Sequence, residues 1–572
     1  MKREFKRKSG ITLIALVITI IILLILAGIS ISALSNQGLF KNAQKAKETT
    51  EESQKKETAL LEQYESELNK YIENGRWDGK VNKPELMTGM SAIKFTDPTD
   101  SAEGAVVDTT SNDAEWYSYE DKKWANAKTE DGSMWVWIPR YAYRIHKENG
   151  VETQKFDIVF LVGLTDNYYD ENGRLQTAQR QTSEEQTIVT NGDAYTVHPA
   201  FTNESSINYA NGGWDKELAG IWVAKFEAGY ASGNNKATVK ASSVKYSQST
   251  AHVPAVETGT TNTTTTARNW LDGEYSVKNG TTYEWKDGKE TAIKYPTFQG
   301  LTYSMNYIST SDAFKISRVL TEKENIYGLS NNSTDSHLMK NSEWGAVTYL
   351  GKSEYGLDDV DIVINNVTLS NRVKSVYAVT GCAGTTADAS IVSTTIGKLN
   401  NRTQSGVYVW TQKNGVGASS TGTIYGIYDL SGGLWERTAS ILNNGNEEAA
   451  VNGSLVLKSL NNGKSSKYVT VYPHDPTKDN TSISNTEIEN AIIANYNKNI
   501  KIYGDAIRET STYGIGQTGW YIDYSYFIGL NQPFLVRGSY YYGSSGAGLF
   551  SMGRTNDNNT YCDGFRSVLV SL

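Results

Sequence analysis

The residue types that most often carry chemistry are few in this chain and widely separated. The 572 residues include two cysteines, Cys382 and Cys562, and five histidines. A site that binds zinc or iron through histidines usually holds them about one helical turn apart, and none of these histidines has such a neighbour. We therefore expect no metal site, no catalytic residue and no cofactor. The histidines are His146, His198, His252, His337 and His474.

Two short segments look like the end of a phosphate-binding loop but lack its beginning. The loop requires a further glycine five residues before its glycine-lysine pair. That position is Ala346 before Gly351-Lys352 and Lys458 before Gly463-Lys464. No Gly-x-Ser-x-Gly turn, which exposes the nucleophilic serine of many hydrolases, is evident after residue 75. These patterns argue against nucleotide hydrolysis and against serine-hydrolase chemistry.

Charge and composition favour an exposed binding surface. The formal net charge is -8, and basic residues form no stripe after the first ten residues, so we expect no nucleic-acid partner. The chain has 36 tyrosines and 50 glycines but only 9 prolines. Tyrosine supplies rigid contact area and glycine, serine and asparagine supply adaptable contacts, although ordinary secreted β proteins share this mixture. Two cysteines form at most one disulfide, so one bridge and two free thiols both remain open.

The first 34 residues predict that the chain is exported. Residues 1–10 are strongly cationic, and residues 11–34 are uncharged and mostly apolar. A helix of that length, at about 1.5 Å per residue, crosses a hydrocarbon core of roughly 30 Å. The cationic flank should remain in the cytoplasm. We expect a single-pass protein of the cell membrane or cell surface whose C-terminal part is extracellular.

A secretory signal, an uncleaved anchor and a prepilin segment compete as explanations of this start. Residues 8–14 read Lys-Ser-Gly-Ile-Thr-Leu-Ile and resemble the processing site of type IV prepilins. The resemblance implies cleavage between Gly10 and Ile11, methylation of the new N-terminus, and two partners, prepilin peptidase and a pilus or secretion-type assembly machinery. The family usually has glutamate at the fifth mature position, where this chain has Ala15. That difference weighs against assembly as a major filament subunit.

The pattern after the apolar run predicts that the helix continues. Alanine, glutamate and lysine dominate residues 39–71, without a proline. Leu60, Tyr64, Leu68 and Tyr71 recur at helical spacing, and Asn74-Gly75 ends the pattern. The predicted organisation is therefore a leader at 1–10, a pilin-like helix at 11–75, a linker or small β region at 76–130, and a large domain at 131–572.

Five later segments resemble, in their order, the formylglycine-generating-enzyme (sulfatase-modifying factor) family, whose fold is C-type-lectin-like. The most specific are residues 428–436, Tyr-Asp-Leu-Ser-Gly-Gly-Leu-Trp-Glu, and the pair Arg-Gly-Ser at 537–539 and Gly-Phe-Arg at 564–566. The weaker two are 222–227 and 337–346. Together with the predicted helix, the resemblance implies an α+β fold class, a long N-terminal helix followed by short strands and long loops. Residues 220–228 also alternate like a half-buried strand.

The residues that carry this resemblance are predicted to be structural. Trp435 should anchor the core, and Arg537 or Arg566 should fix a carboxylate such as Asp429 or Glu436. The full structural set is Asp429, Trp435, Glu436, Arg537, Phe565 and Arg566.

The resemblance also predicts a domain without catalytic activity. The oxidase branch of the family binds copper through two cysteines shortly after its Arg-Gly-Gly-Ser segment, and residues 537–546 contain no cysteine. The iron-dependent branch requires a histidine cluster, which is also missing from the sequence. The alternative, a metal-dependent oxidase related to the formylglycine-generating enzymes, would need ligands of another kind.

A polar, tyrosine-rich segment near residue 550 is the predicted ligand-binding region. It resembles the variable region of diversity-generating retroelement targets, which often use this fold, and it implies an extracellular protein or glycan as the ligand. A minor pilin or pseudopilin with a structural role in assembly is the alternative, in which sister subunits contact the same face. The predicted binding residues are Tyr540, Tyr541, Tyr542, Ser544, Arg554, Asn556, Asn558, Asn559 and Tyr561.

Overall fold

The computed structural model divides the chain into two compact units, Met1–Asn74 and Gly75–Leu572. In the first unit the described residues are 17–20, 47, 49–50 and 53–56. In the second they are 79–180, 194–203, 213–230, 238–240, 243–245, 275–278, 281–286, 289–292, 296–302, 304–306, 308–322, 325–371, 375–385, 407–443, 456, 465–475, 485–499, 502–529, 531–543, 546–556 and 562–572.

The predicted α+β class is wrong, because the described chain is built mostly of strands and loops. The helices with described bounds in the second unit are short, α1 Thr310–Arg318, α2 Asn341–Gly351 and α3 Asn485–Lys498. No long N-terminal helix is seen among the described residues, where only short helical pieces precede residue 79. The prediction gave too much weight to one apolar run, whereas a body rich in tyrosine, threonine and glycine favours strands and turns.

Most of residues 11–75, together with the proposed cleavage site at Gly10 and Ile11, lie outside the described residues. Within the part of the chain that the structure describes, no helix has both the length and the apolar character needed to cross a membrane.

The strands are short and are numbered in chain order. They are β1 Ser91–Phe95, β2 Val106–Asp108, β3 Asn126–Lys128, β4 Met134–Pro139, β5 Tyr141–Glu148, β6 Val151–Phe160, β7 Asn167–Tyr169, β8 Leu175–Thr177, β9 Thr196–Val197, β10 Gly220–Ala224, β11 Gly229–Tyr230, β12 Thr238–Lys240, β13 Ser243–Lys245, β14 Tyr275–Lys278, β15 Thr281–Lys286, β16 Lys289–Ala292, β17 Pro296–Thr297, β18 Thr334–Leu338, β19 Asn365–Asn366, β20 Thr368–Asn371, β21 Ser375–Ala378, β22 Cys382–Thr385, β23 Val407–Val409, β24 Trp435–Arg437, β25 Ser440–Asn443, β26 Thr470–Pro473, β27 Phe534–Arg537, β28 Met552–Thr555, β29 Asp563–Phe565 and β30 Ser567–Ser571. Short 3-10 helices span Pro199–Phe201, Gly415–Ala418 and Trp520–Ile522.

A seven-stranded antiparallel sheet in the order β18-β30-β10-β4-β3-β1-β2 forms the centre of the second unit. Trp222 on β10 lies between Trp137 of β4 and Leu569 of β30 in register. Residues 91–128, predicted as a linker or small β region, supply three strands to this same sheet. The half-buried alternation predicted for residues 220–228 is wrong, because all five residues of β10 are buried as expected for a strand covered on both faces.

A smaller sheet in the order β28-β27-β24-β29 brings together parts of the three most specific segments of the family resemblance. Strand β24 runs parallel to β29 and antiparallel to β27. The segment 337–346 forms the end of β18 and the start of α2, a helix whose eleven residues are all buried. Such burial means that other elements enclose the helix on every side. At its N-terminus, the Glu343 carboxylate accepts the Lys340 N–H at 2.8 Å, which satisfies a backbone donor that has no partner within the helix.

Candidate functional site

A buried ion pair holds the smaller sheet against its surroundings. Arg566 donates through Nη2 and Nε to the two carboxylate oxygens of Glu436, at 2.6 and 2.9 Å. The same guanidinium donates to the backbone oxygens of Ala224 and Tyr428, at 2.7 and 2.8 Å. The prediction that an arginine fixes a carboxylate here is confirmed for Arg566 and Glu436. Both residues are buried, and the guanidinium donates to four oxygens contributed by three segments, so the pair ties these segments together.

Asp429 forms a second buried acidic centre together with Glu227. The Asp429 carboxylate accepts the Gly381 N–H and the Asn365 side-chain amide, each at 2.9 Å. Glu227 accepts the Leu434 N–H at 3.0 Å and the hydroxyl of Ser304. Burial raises the pKa of Asp429 to about 6, and burial together with the charge of Asp429 raises the pKa of Glu227 well above its usual range. The sequence did not identify Glu227 as a partner.

No described carboxylate pairs with Arg537, which was one of the two arginines predicted to fix one. Its Nη2 donates to the Ala506 backbone oxygen at 2.8 Å, and its guanidinium lies 5.6 Å from the centroid of the Trp344 ring. Burial lowers the pKa of Arg537 to about 10. Phe565 is fully buried, as expected of a core residue, whereas Trp435 is only half-buried.

The predicted binding residues are placed differently from one another. Tyr542 is 58% exposed, whereas Tyr541 is 3% exposed and packs against Ala378 and Leu434. Tyr540, Arg554 and Asn556 are half-buried. The remaining four, Ser544, Asn558, Asn559 and Tyr561, lie outside the described residues.

Two of these tyrosines belong to a continuous row of aromatic rings, which we call the aromatic ladder. Along it, successive ring centroids lie 6.2, 6.3, 6.2 and 4.9 Å apart. At one end a guanidinium lies 5.7 Å from the centroid of the last ring, within cation–π range. In spatial order the ladder consists of Tyr542, Tyr540, Trp435, Tyr524, Tyr526 and Arg554.

The backbone explains how separate segments build one face. Met552 of β28 donates its N–H to the Tyr524 oxygen and accepts the Tyr526 N–H, at 2.8 and 3.0 Å, so residues 524–526 run beside β28 like a further strand. Successive residues of a strand point to opposite faces. Ser525 is accordingly buried, and Tyr524 and Tyr526 lie on the outer face with parallel rings.

A glycine allows Trp435 to join the ladder. A Cβ atom added at Gly553 on β28 would lie 3.1 Å from the Trp435 ring, so only a residue without a side chain leaves the indole its full room. The sequence analysis missed Tyr524 and Tyr526 because they precede the predicted segment. The Tyr-Ser-Tyr alternation at 524–526 was the available signal.

The two cysteines do not form a disulfide, which settles the alternatives left open by the sequence. Cys382 is fully buried, and burial raises the pKa of its thiol well above the usual range. A thiol held in its protonated form is a poor nucleophile and a poor metal ligand. Among the described residues, no group of three or more His, Cys, Asp or Glu side chains is arranged to hold a metal ion.

No protein-family model matches this chain, and no curated protein is significantly similar to it. The function is therefore inferred from the residues and geometry of the site.

Proposed function

We propose that this chain is an exported, non-catalytic binding protein that presents the aromatic ladder to an extracellular protein or glycan. Its apolar segment at 11–34 would anchor it at the cell membrane after prepilin-type cleavage between Gly10 and Ile11. The ladder is the observation that carries the proposal. Aromatic rings and arginine are the side chains most enriched where binding energy concentrates.

The small sheet and a buried ion pair hold the ladder residues in place, which favours ligand binding. The members of the ladder come from four separate segments. Trp435 and Arg554 lie on β24 and β28 of one small sheet, and Tyr540 and Tyr542 closely follow β27 of the same sheet. The buried ion pair between Arg566 and Glu436 holds β24 in place. A surface that is ordered before the ligand arrives loses less conformational entropy on binding. Rings and one guanidinium also bind without transferring protons or electrons, in keeping with a non-catalytic role.

We further propose that the second unit is a divergent relative of the formylglycine-generating enzymes. The proposal is supported by the meeting of β24, β27 and β29, which carry parts of the three most specific segments, in one sheet. A retroelement-diversified binding face remains part of this proposal. It concerns the segment from residue 540 to residue 563, which supplies Tyr540, Tyr542 and Arg554 to the ladder.

The test replaces two exposed ladder residues, Tyr542→Ala and Tyr524→Ala, in the full chain displayed on host cells. Tyr542 and Tyr524 are 58% and 36% exposed, so the fold should tolerate both changes. Binding of the displaying cells to an array of glycans and extracellular-matrix proteins is measured. Losing two contact rings should weaken binding by roughly 10- to 100-fold.

The matched control is Leu175→Ala, which truncates an apolar side chain that is 55% exposed on β8 and lies outside the ladder. This variant should bind like the unaltered chain. Equal binding by the double variant would contradict the proposal. If the double variant no longer assembles at the surface, the minor-pilin alternative is favoured instead.

A further inference from the structure

A second concave surface on the second unit shares no residue with the aromatic ladder. It is a half-open cleft of about 410 Å³ between residues 79–81, the loop 114–120, the end of β6, the end of β7 and the turn after α2. Clefts of roughly 300 to 1,000 Å³ are the usual size of small-molecule sites. Five aromatic rings line this one, Tyr117, Tyr119, Phe160, Tyr169 and Tyr355.

The rings are inclined to one another and therefore form walls. Tyr119 and Phe160 have centroids 5.4 Å apart and planes at 66°. Phe160 and Tyr355 are 4.7 Å apart at 54°, and Tyr117 and Tyr119 are 6.0 Å apart at 65°. A sugar ring stacks best on one flat, open ring face. Rings set at steep angles instead surround a compact, rounded group and present several faces or edges to it.

Two carboxylates lie at or beside the cleft. Among the described lining residues, Glu120 is acidic and Lys80 is basic, and the two form an ion pair at 2.5 Å. The second carboxylate belongs to Glu354, which immediately precedes the lining residue Tyr355. Burial raises the pKa of Tyr355, and the negative charges of Glu354 and Glu120 raise it further. The same charges attract a positive ligand.

The local fold fixes the position of the inner ring. Tyr119 is 3% exposed, and its hydroxyl donates to the Trp137 backbone oxygen at 2.7 Å, so the ring is anchored to the central sheet. Tyr169 is 48% exposed at the outer end of β7 and forms the accessible wall.

We propose that this cleft binds a quaternary ammonium group, such as the trimethylammonium group of choline. The group is too large for a hydration shell as tight as that of a simple metal cation, and aromatic faces stabilise its spread charge. The structure shows inclined rings, carboxylates at Glu120 and at the neighbouring Glu354, and a volume that also admits the chain attached to the ammonium.

The experiment titrates the detergent-solubilised full chain with choline chloride and follows the heat of binding. A matched titration uses 3,3-dimethylbutan-1-ol, a neutral molecule of nearly the same shape. Choline should bind saturably and at least ten times more tightly than the neutral molecule. Equal affinities, or no saturable binding of choline, would overturn the proposal.

Variants at one exposed position separate the ring from its hydroxyl. Tyr169→Phe keeps the ring and should retain choline binding within about twofold, whereas Tyr169→Leu keeps apolar volume without a π face and should weaken it about three- to tenfold. Tyr542→Ala, which alters the ladder, should leave choline binding unchanged. Equal choline affinity of the Phe and Leu variants would also overturn the proposal.

The ammonium group can come from a free small molecule or from a lipid head group. Titration with micelle-free dihexanoylphosphatidylcholine distinguishes these sources. Binding of this lipid as tightly as choline supports a lipid head group, and binding of choline alone supports a soluble or glycan-linked source. Failure of the choline titration leaves the ladder proposal untouched, since that proposal is tested by different variants and a different readout.

Discussion

Asp429 combines a left-handed backbone with a buried carboxylate. Its φ is 63°, a region that asparagine and aspartate tolerate better than other side chains except glycine. Its carboxylate is 1% exposed, beside Glu227. Raising the pKa to about 6 means that the folded state holds this proton more tightly than the unfolded chain.

The raised pKa of Asp429 makes the free energy of unfolding depend on pH. Between the unfolded pKa of about 4 and the folded pKa, the folded state binds more protons, so the free energy of unfolding falls as pH rises. The loss attributable to this carboxylate is about 2 to 3 kcal/mol and is complete just above the folded pKa. Asp429→Asn should remove much of that slope, because asparagine accepts the same backbone conformation and does not titrate.

Urea unfolding, measured at intervals from about pH 4 to pH 7, checks this prediction. The midpoint at each pH gives the free energy of unfolding. Asp97→Asn, at an exposed carboxylate, is the control and should preserve the slope. An unchanged slope in Asp429→Asn would show that other groups dominate the titration.

Side-chain partners could be predicted only where the sequence limits the choices. The sequence offered Arg537 or Arg566 as the arginine and Asp429 or Glu436 as its carboxylate, and the pair of Arg566 with Glu436 is one of these combinations. Arg537 looks equivalent in sequence, yet its partner is the backbone of Ala506, thirty-one positions away in a loop whose path no local pattern reveals. The shared centre of Asp429 and Glu227 depends on a pairing across 202 positions.

At the scale of the elements, the close approach of two neighbouring strands restricts which residue can occupy position 220. A Cβ atom placed on Gly220, at the start of β10, would lie 2.4 Å from the Trp137 ring and 2.6 Å from the Ile138 oxygen. Real structures do not contain such contacts. The large indole of β4 and the missing side chain of β10 are therefore complementary.

We expect Gly220→Ala to lower the free energy of unfolding by about 3 kcal/mol or more, because strand and indole must separate. The comparison is Gly150→Ala, in an open turn with φ at 80°, where a Cβ atom meets nothing and only backbone strain of about 1 to 2 kcal/mol arises. Thermal unfolding monitored by tryptophan fluorescence measures both. A smaller effect at Gly220 than at Gly150 would contradict this packing.

Element types were easier to predict than their surroundings. Residues 220–228 were predicted to alternate like a strand, and Gly220–Ala224 forms one. Its burial on both faces was missed because the covering layers come from distant parts of the chain. The ladder was found only in part, since a composition-based search selected residues 540–563 and passed over 524–526, which reaches the same face by pairing with β28.

For the whole molecule, the proposed route to the cell surface makes a prediction that is independent of the binding face. Prepilin-type processing should leave a mature protein that begins at Ile11 and carries an N-terminal methyl group. Intact-mass and N-terminal sequence measurement on protein recovered from the host envelope tests this. A start at Met1 indicates an uncleaved anchor, and a start near Leu34 indicates a secreted protein, and either result contradicts prepilin processing.

The pairing of β10 with β30 also determines when the central sheet can be completed during synthesis. Trp222 finds its register partner only at Leu569, so roughly 350 residues separate the two sides of one pair at the middle of the sheet. At a synthesis rate of about 5 to 20 residues per second, the edge of β10 waits some 20 to 70 seconds for its neighbour. During that interval a fully apolar strand is available to other chains, so the nascent protein needs a chaperone or immediate translocation to avoid aggregation.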